Sequence, residues 1–238
     1  MSHSRSSAAF TLLELLVVIG LIAGLSYLLF GGLAGGGKSA ALQSGQTTVA
    51  NLVTAARLKA AASGRHCRVL VADDPVDAER YLRCLALQQA RQAGANPANW
   101  DTVQTAMLPA EIFVLPAALA VPAGLVADPA QWKRVSEPGE DLVSGVFQNQ
   151  SITYALEGDT AARQWTGVCF TPNGTLARLG TTGTPPRGLL VIGTGGLRAP
   201  GSYAPGESPV QLTNPGMVRG LVLSAYGVPA LLNDRSAF

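Results

Sequence analysis

One carboxylate sits where carboxylates are rare. Glu14 lies near the start of a 19-residue stretch, Leu12–Phe30 (LLELLVVIGLIAGLSYLLF), interrupted otherwise only by Gly20, Gly24, Ser26 and Tyr27. An ionisable group in an apolar phase costs several kcal/mol unless it is paired, so Glu14 calls for a cationic partner. Close behind it, Gly32–Ser39 (GLAGGGKS) matches the phosphate-cradling pattern GxxxxGK[ST]. In that chemistry backbone amides hold phosphates and the lysine, here Lys38, reaches the terminal ones. Val69–Asp73 (VLVAD) resembles the apolar strand ending in a metal-binding acid that such sites also use. Cys67 and Cys84 are the third candidate, either a cross-strand disulfide in an oxidising compartment or two half-buried thiols.

Context sorts these candidates. A phosphate loop follows a strand of about 5–6 residues, whereas Gly32–Ser39 follows a 19-residue apolar run, and a glycine-rich stretch matches the pattern easily. The glycines of 31–37 are therefore expected to be a break in a helix, since each costs a helix about 1 kcal/mol relative to Ala. His66 is the single histidine beyond the extreme amino terminus, and its neighbour Cys67 points to the opposite face of a strand, so the two cannot act on one atom. Neither G-x-S-x-G nor HExxH occurs, and Gly193-Thr-Gly195-Gly196 fails as a dinucleotide loop because Arg198 holds the sixth position. Asp73, Asp74, Asp77 and Glu79 lack calcium-loop spacing and read as a solvated turn. No enzyme activity, cofactor or metal is expected.

The composition agrees. Charged residues make up 13% of the 238 residues, against about 25% in average soluble domains. The 17 basic and 15 acidic side chains are too balanced for a protein that binds nucleic acid through bulk charge. A basic cluster, Arg57, Lys59, Arg65, Arg68, Arg80 and Arg83, nevertheless keeps a DNA-binding head as the alternative function. Only Arg5, Glu14 and Lys38 are charged in the first 50 residues.

The elements that must position these residues follow from periodicity. Leu12–Phe30 is a transmembrane segment by length, about 28 Å of helix. Leu42, Val49, Leu52, Val53, Ala56 and Ala60 fall on one face of a second helical stretch, from about Ser39 to Ala62, with Ser63-Gly64 as its stop. Beyond it the period changes to strands. Cys67–Ala72 and Arg80–Leu87 are read as a hairpin symmetric about the acidic turn, pairing Cys67 with Cys84, Val69 with Leu82 and Arg68 with Arg83. Leu108–Leu115, Gly167–Phe170, Thr175–Arg178, Leu189–Ile192, Gly220–Ser224 and Val228–Leu232 are further strands, with Thr171-Pro-Asn-Gly174 and Tyr226-Gly227 as hairpin turns. Gly193–Gly216 reads as a long loop. Asn96–Thr105 and Ala127–Phe147 are ambiguous, each with a tryptophan expected to anchor the core.

Residues Ala9–Gly20 (AFTLLELLVVIG) resemble the amino-terminal signature of type IV prepilins and type II secretion pseudopilins. GRHCRVLV, LPAEIFVL and FTPNG, within 64–178, are loosely similar to the H-type minor pseudopilins and related minor pilins. The resemblance implies a leader of residues 1–9, cut between Ala9 and Phe10 by a prepilin peptidase that also methylates the new amine of Phe10. Ala9 departs from the usual glycine at that place. Glu14, fifth in the mature chain, would then neutralise the amine of a neighbouring subunit, a desolvated pair that fixes register more than it stabilises. The implied fold is α+β: a long stem helix (10–62), half transmembrane and half amphipathic with the break at 31–37, packed on an antiparallel β head (63–238). The implied role is a structural subunit of a type II secretion pseudopilus or type IV pilus. Its partners would be other pilins, the peptidase and an inner-membrane assembly platform. It would sit as a single-pass inner-membrane protein, amino terminus cytoplasmic and head periplasmic.

Overall fold

Helix α1 runs from Leu12 to Ser63 in a computed structural model. The structure describes residues 12–93, 99–115, 151–177, 188–199, 201–203, 209–214, 217–224 and 226–233, without the side chains of 26–36, 151, 188 and 189. The helix stops where the chain demands it: Gly64 takes φ 64°, the left-handed conformation that closes helices, and Ser63 Oγ donates to the Lys59 carbonyl at 2.7 Å. The chain forms two compact units, Met1–Ala40 and Ala41–Phe238.

In the second unit, α1 buries the face that its periodicity marks, with Leu42, Val49, Leu52, Val53, Ala56 and Ala60 all in the core. Eleven strands are described, and every pairing among them is antiparallel. They are β1 (Cys67–Ala72), β2 (Cys84–Ala90), β3 (Trp100–Met107), β4 (Ile112–Leu115), β5 (Ser151–Tyr154), β6 (Arg163–Phe170), β7 (Leu176–Ala177), β8 (Gly188–Leu197), β9 (Val210–Leu212), β10 (Val218–Leu223) and β11 (Pro229–Leu232). One sheet has the order β3-β2-β1-β6-β5 with β7 on β6, and the other β11-β10-β8-β4 with β9 on β8. The main core gathers side chains from α1 and both sheets, including Val69, Leu85, Phe170, Ile192 and Leu221. A smaller cluster on the other face of the first sheet holds Leu70, Ala72, Cys84, Ala86, Trp165 and Cys169.

Polar contacts fix α1 on the second sheet. Gln46, buried in the interface, donates from Nε2 to the carbonyls of Gly220 at 2.8 Å and Leu232 at 2.9 Å. Beside it, Gly45 lets the helix approach: a Cβ there would stand 2.9 Å from Ile112 Cγ2.

Several expectations are corrected. Among the described residues no helix is long and apolar enough to cross a membrane. This finding stands against the transmembrane half of the expected stem, and with it against the single-pass inner-membrane placement. The expected α+β fold, a stem half transmembrane and half amphipathic packed on a β head, is also corrected. The body is mostly antiparallel β in two sheets, and only the portion of α1 from Ala41 onward belongs to the unit that contains them. The glycines of 31–37 do not interrupt the helix.

The hairpin register shifts by five residues. Cys67 pairs with Gln89, Arg68 with Gln88 and Val69 with Leu87. The turn chemistry consumes more chain than a symmetric hairpin allows: Tyr81 N–H bonds to the Asp77 carbonyl, Cys84 N–H to that of Arg80, and Leu82 takes φ 54°. Cys67 therefore faces the main core and Cys84 the opposite cluster, and of the two alternatives the structure has free buried thiols rather than a disulfide. The expected long loop 193–216 is entered by β8, which continues to Leu197 and pairs with β9. Asn96–Thr105 resolves into β3 from Trp100 onward, whereas Ala127–Phe147 lies outside the described residues.

Candidate functional site

The feature of the first unit is a helix segment with no buried side. Every described side chain from Leu12 to Leu25 is exposed, among them ten large apolar groups: Leu12, Leu13, Leu15, Leu16, Val17, Val18, Ile19, Leu21, Ile22 and Leu25. An amphipathic helix directs its apolar groups along one stripe, but here consecutive positions are apolar, so they surround the helix. No proline occurs between Leu12 and Ser63, and leucine dominates the first turns, which explains why the segment is helical despite its glycines. Glu14 lies in the first turn, where a carboxylate interacts favourably with the helix dipole. Ala9 and Phe10 lie outside the described residues.

The competing sites do not assemble. Gly32–Ser39 is helical throughout and so forms no loop of amides around a phosphate. Asp73, just past β1, has burial and the neighbouring Asp74 pushing its carboxyl up to about 6. The acidic turn binds itself: Asp74 accepts the Val76 N–H and pairs with Arg163 at 3.6 Å, while Asp77 and Asp159 both pair with Arg80. Among the described residues no group of three or more His, Cys, Asp or Glu could hold a metal ion. Burial lowers the imidazole pKa of His66 and pushes the Cys67 and Cys169 thiols up to about 11 and about 12, with Cys84 raised for the same reason. Such thiols are protonated at neutral pH and are poor nucleophiles.

Four of the six residues of the basic cluster are engaged within the chain. Arg57 donates to the Tyr226 carbonyl, Arg80 forms a two-point pair with Asp159 at 2.8 and 2.9 Å, and Arg83 donates to the Leu108 carbonyl. Arg68 is buried against Gln88 and Trp100, a setting that the expected register concealed because it placed Arg83 opposite. A second aromatic, Tyr154 on β5, was not legible beforehand, since no local pattern ties residue 154 to residue 68. No family model, curated protein or solved structure matches the chain.

Proposed function

We propose that this chain is a structural subunit of a pseudopilin-like filament, joined to its neighbours through the amino-terminal part of α1. The observation that carries this reading is the segment 12–25, apolar on all sides, exposed, and marked by one acid at Glu14. Fully burying a large aliphatic side chain stabilises by about 1.5–3 kcal/mol, so ten of them make a lone helix in water the least favourable arrangement. Packing such helices into a bundle buries them and brings Glu14 into a drier setting, where a cation from a neighbouring subunit favours its charged form. The amine exposed by cleavage between Ala9 and Phe10, methylated by the same peptidase, supplies that cation from the neighbouring subunit. The second unit, Ala41–Phe238, then provides the surface of the filament. Membrane placement forms no part of this reading.

The mass and terminal sequence of the protein isolated from its own cells test the processing step. A methylated Phe10 terminus is expected; an intact Met1, or cleavage near Ala40, would overturn it.

A further inference from the structure

Arg68 is a buried cation with no acid paired to it among the described residues. It stands on β1, on the face of the first sheet that carries the smaller apolar cluster, and is 7% exposed. Burial lowers its pKa to about 10, so it remains a cation at neutral pH. Among the described residues, no carboxylate lies within ion-pair distance of it. Aromatic rings surround it instead: its Cζ lies 4.0 Å from the Trp100 ring centroid and 5.8 Å from that of Tyr154. Its Nε donates to Gln88 Oε1 at 2.7 Å, and Gln88 is held in turn by donating from Nε2 to Thr102 Oγ1 at 3.0 Å. The Thr102 hydroxyl lies 3.4 Å from that of Tyr154. The guanidinium is thus fixed in position and in plane by four side chains from three other strands.

The contacts above take Nε and one face of the guanidinium and leave its terminal edge unassigned. A cavity of about 500 Å³ adjoins the arginine, lined by Arg68, Arg91, Trp100, Ile152 and Tyr154 among others. We propose that this cavity binds a carboxylate, received edge-on by the two terminal amines of Arg68. The shape of the site selects the ligand. Trp100 covers a face of the guanidinium and Gln88 takes Nε, leaving the fork that a planar carboxylate matches with two parallel hydrogen bonds. A phosphate could take the same fork, but its second charge would need another free cation. Arg91, the second arginine at the cavity, is already paired with Asp101 at 2.6 Å. Ile152 and Tyr154 offer contact to a short aliphatic stem. An acidic side chain of a polypeptide and a free short-chain acid share this chemistry.

The test uses the full chain and four probes: a short blocked peptide with one central glutamate, its glutamine counterpart, glutarate and inorganic phosphate. Binding is followed by calorimetry and by the indole N–H resonance of Trp100, assigned with Trp100→Phe. The glutamate peptide and glutarate are expected to shift that resonance, with the glutamine peptide and phosphate at least about tenfold weaker. A tighter glutamate peptide identifies a polypeptide ligand, and tighter glutarate a free acid. Arg68→Gln should remove the binding of both. Because the peptide pair is compared on the unaltered protein, the outcome does not depend on whether that variant folds. Equal binding of the two peptides, a preference for phosphate, no binding at millimolar concentration, or a response that bypasses Trp100 would overturn the site.

Discussion

Asp73 carries a carboxyl whose folded environment disfavours its charge, and that makes stability depend on pH in a definite direction. Its pKa is raised from 3.8 to about 6, by burial first and by Asp74 second. The folded state therefore holds this proton more tightly than the unfolded chain does, so the contribution of Asp73 to stability is greatest below about pH 4 and is lost as pH rises through about 6. Asp73→Asn removes the effect. Because the side chain is only half-buried, solvent screening reduces the expected gain at pH 7 to about 1 kcal/mol, vanishing near pH 4. Denaturant titrations at the two pH values measure it, and a variant less stable at pH 7 would contradict the assignment. The thiols make a second residue-scale case. Cys67, Cys84 and Cys169 are free, buried and raised in pKa. A thiol reagent should label none of them in the native protein and all three after unfolding, and reductant should leave the melting temperature unchanged. A reductant-dependent melting temperature would point to a disulfide after all.

At the scale of elements, the close packing of α1 on the second sheet rests on the missing side chain of Gly45. An exposed helical Gly→Ala change ordinarily stabilises by about 1 kcal/mol. Here the new Cβ would stand 2.9 Å from Ile112 Cγ2, and Ile112 is buried in the core. Gly45→Ala is expected to destabilise by about 1–3 kcal/mol, read as a lower denaturant midpoint; a gain in stability would show that the helix stands off the sheet. Legibility in the sequence varied between elements for physical reasons. The inner face of α1 from Leu42 to Ala60 was readable because apolar period and burial coincide. So were the hairpins at Gly174 and Gly227, where φ of 74° and 70° demands glycine. The β1–β2 register was not, because a left-handed Leu82 lengthens the turn without leaving a glycine or asparagine to mark it. β3 escaped for another reason: it is an edge strand, exposed along most of its length, and has no apolar alternation to reveal it.

The whole molecule combines a self-contained β body with a helix segment whose apolar surface is open on every side. The overall composition hid this division, since 3 of the first 50 residues are charged against 29 of the other 188, and both parts are charge-poor. Length and hydropathy together suggested a membrane span, whereas among the described residues no helix is long and apolar enough to cross one. The exposed apolar surface between Leu12 and Leu25 still requires a partner, and a bundle of like helices is the arrangement that also gives Glu14 a role. Electron microscopy of the processed chain beside its Glu14→Leu variant tests this most directly. Ordered filaments are predicted from the parent, and from the variant a protein with the same head stability that forms none. Equally ordered filaments from Glu14→Leu, or a parent chain that stays monomeric, would contradict the account.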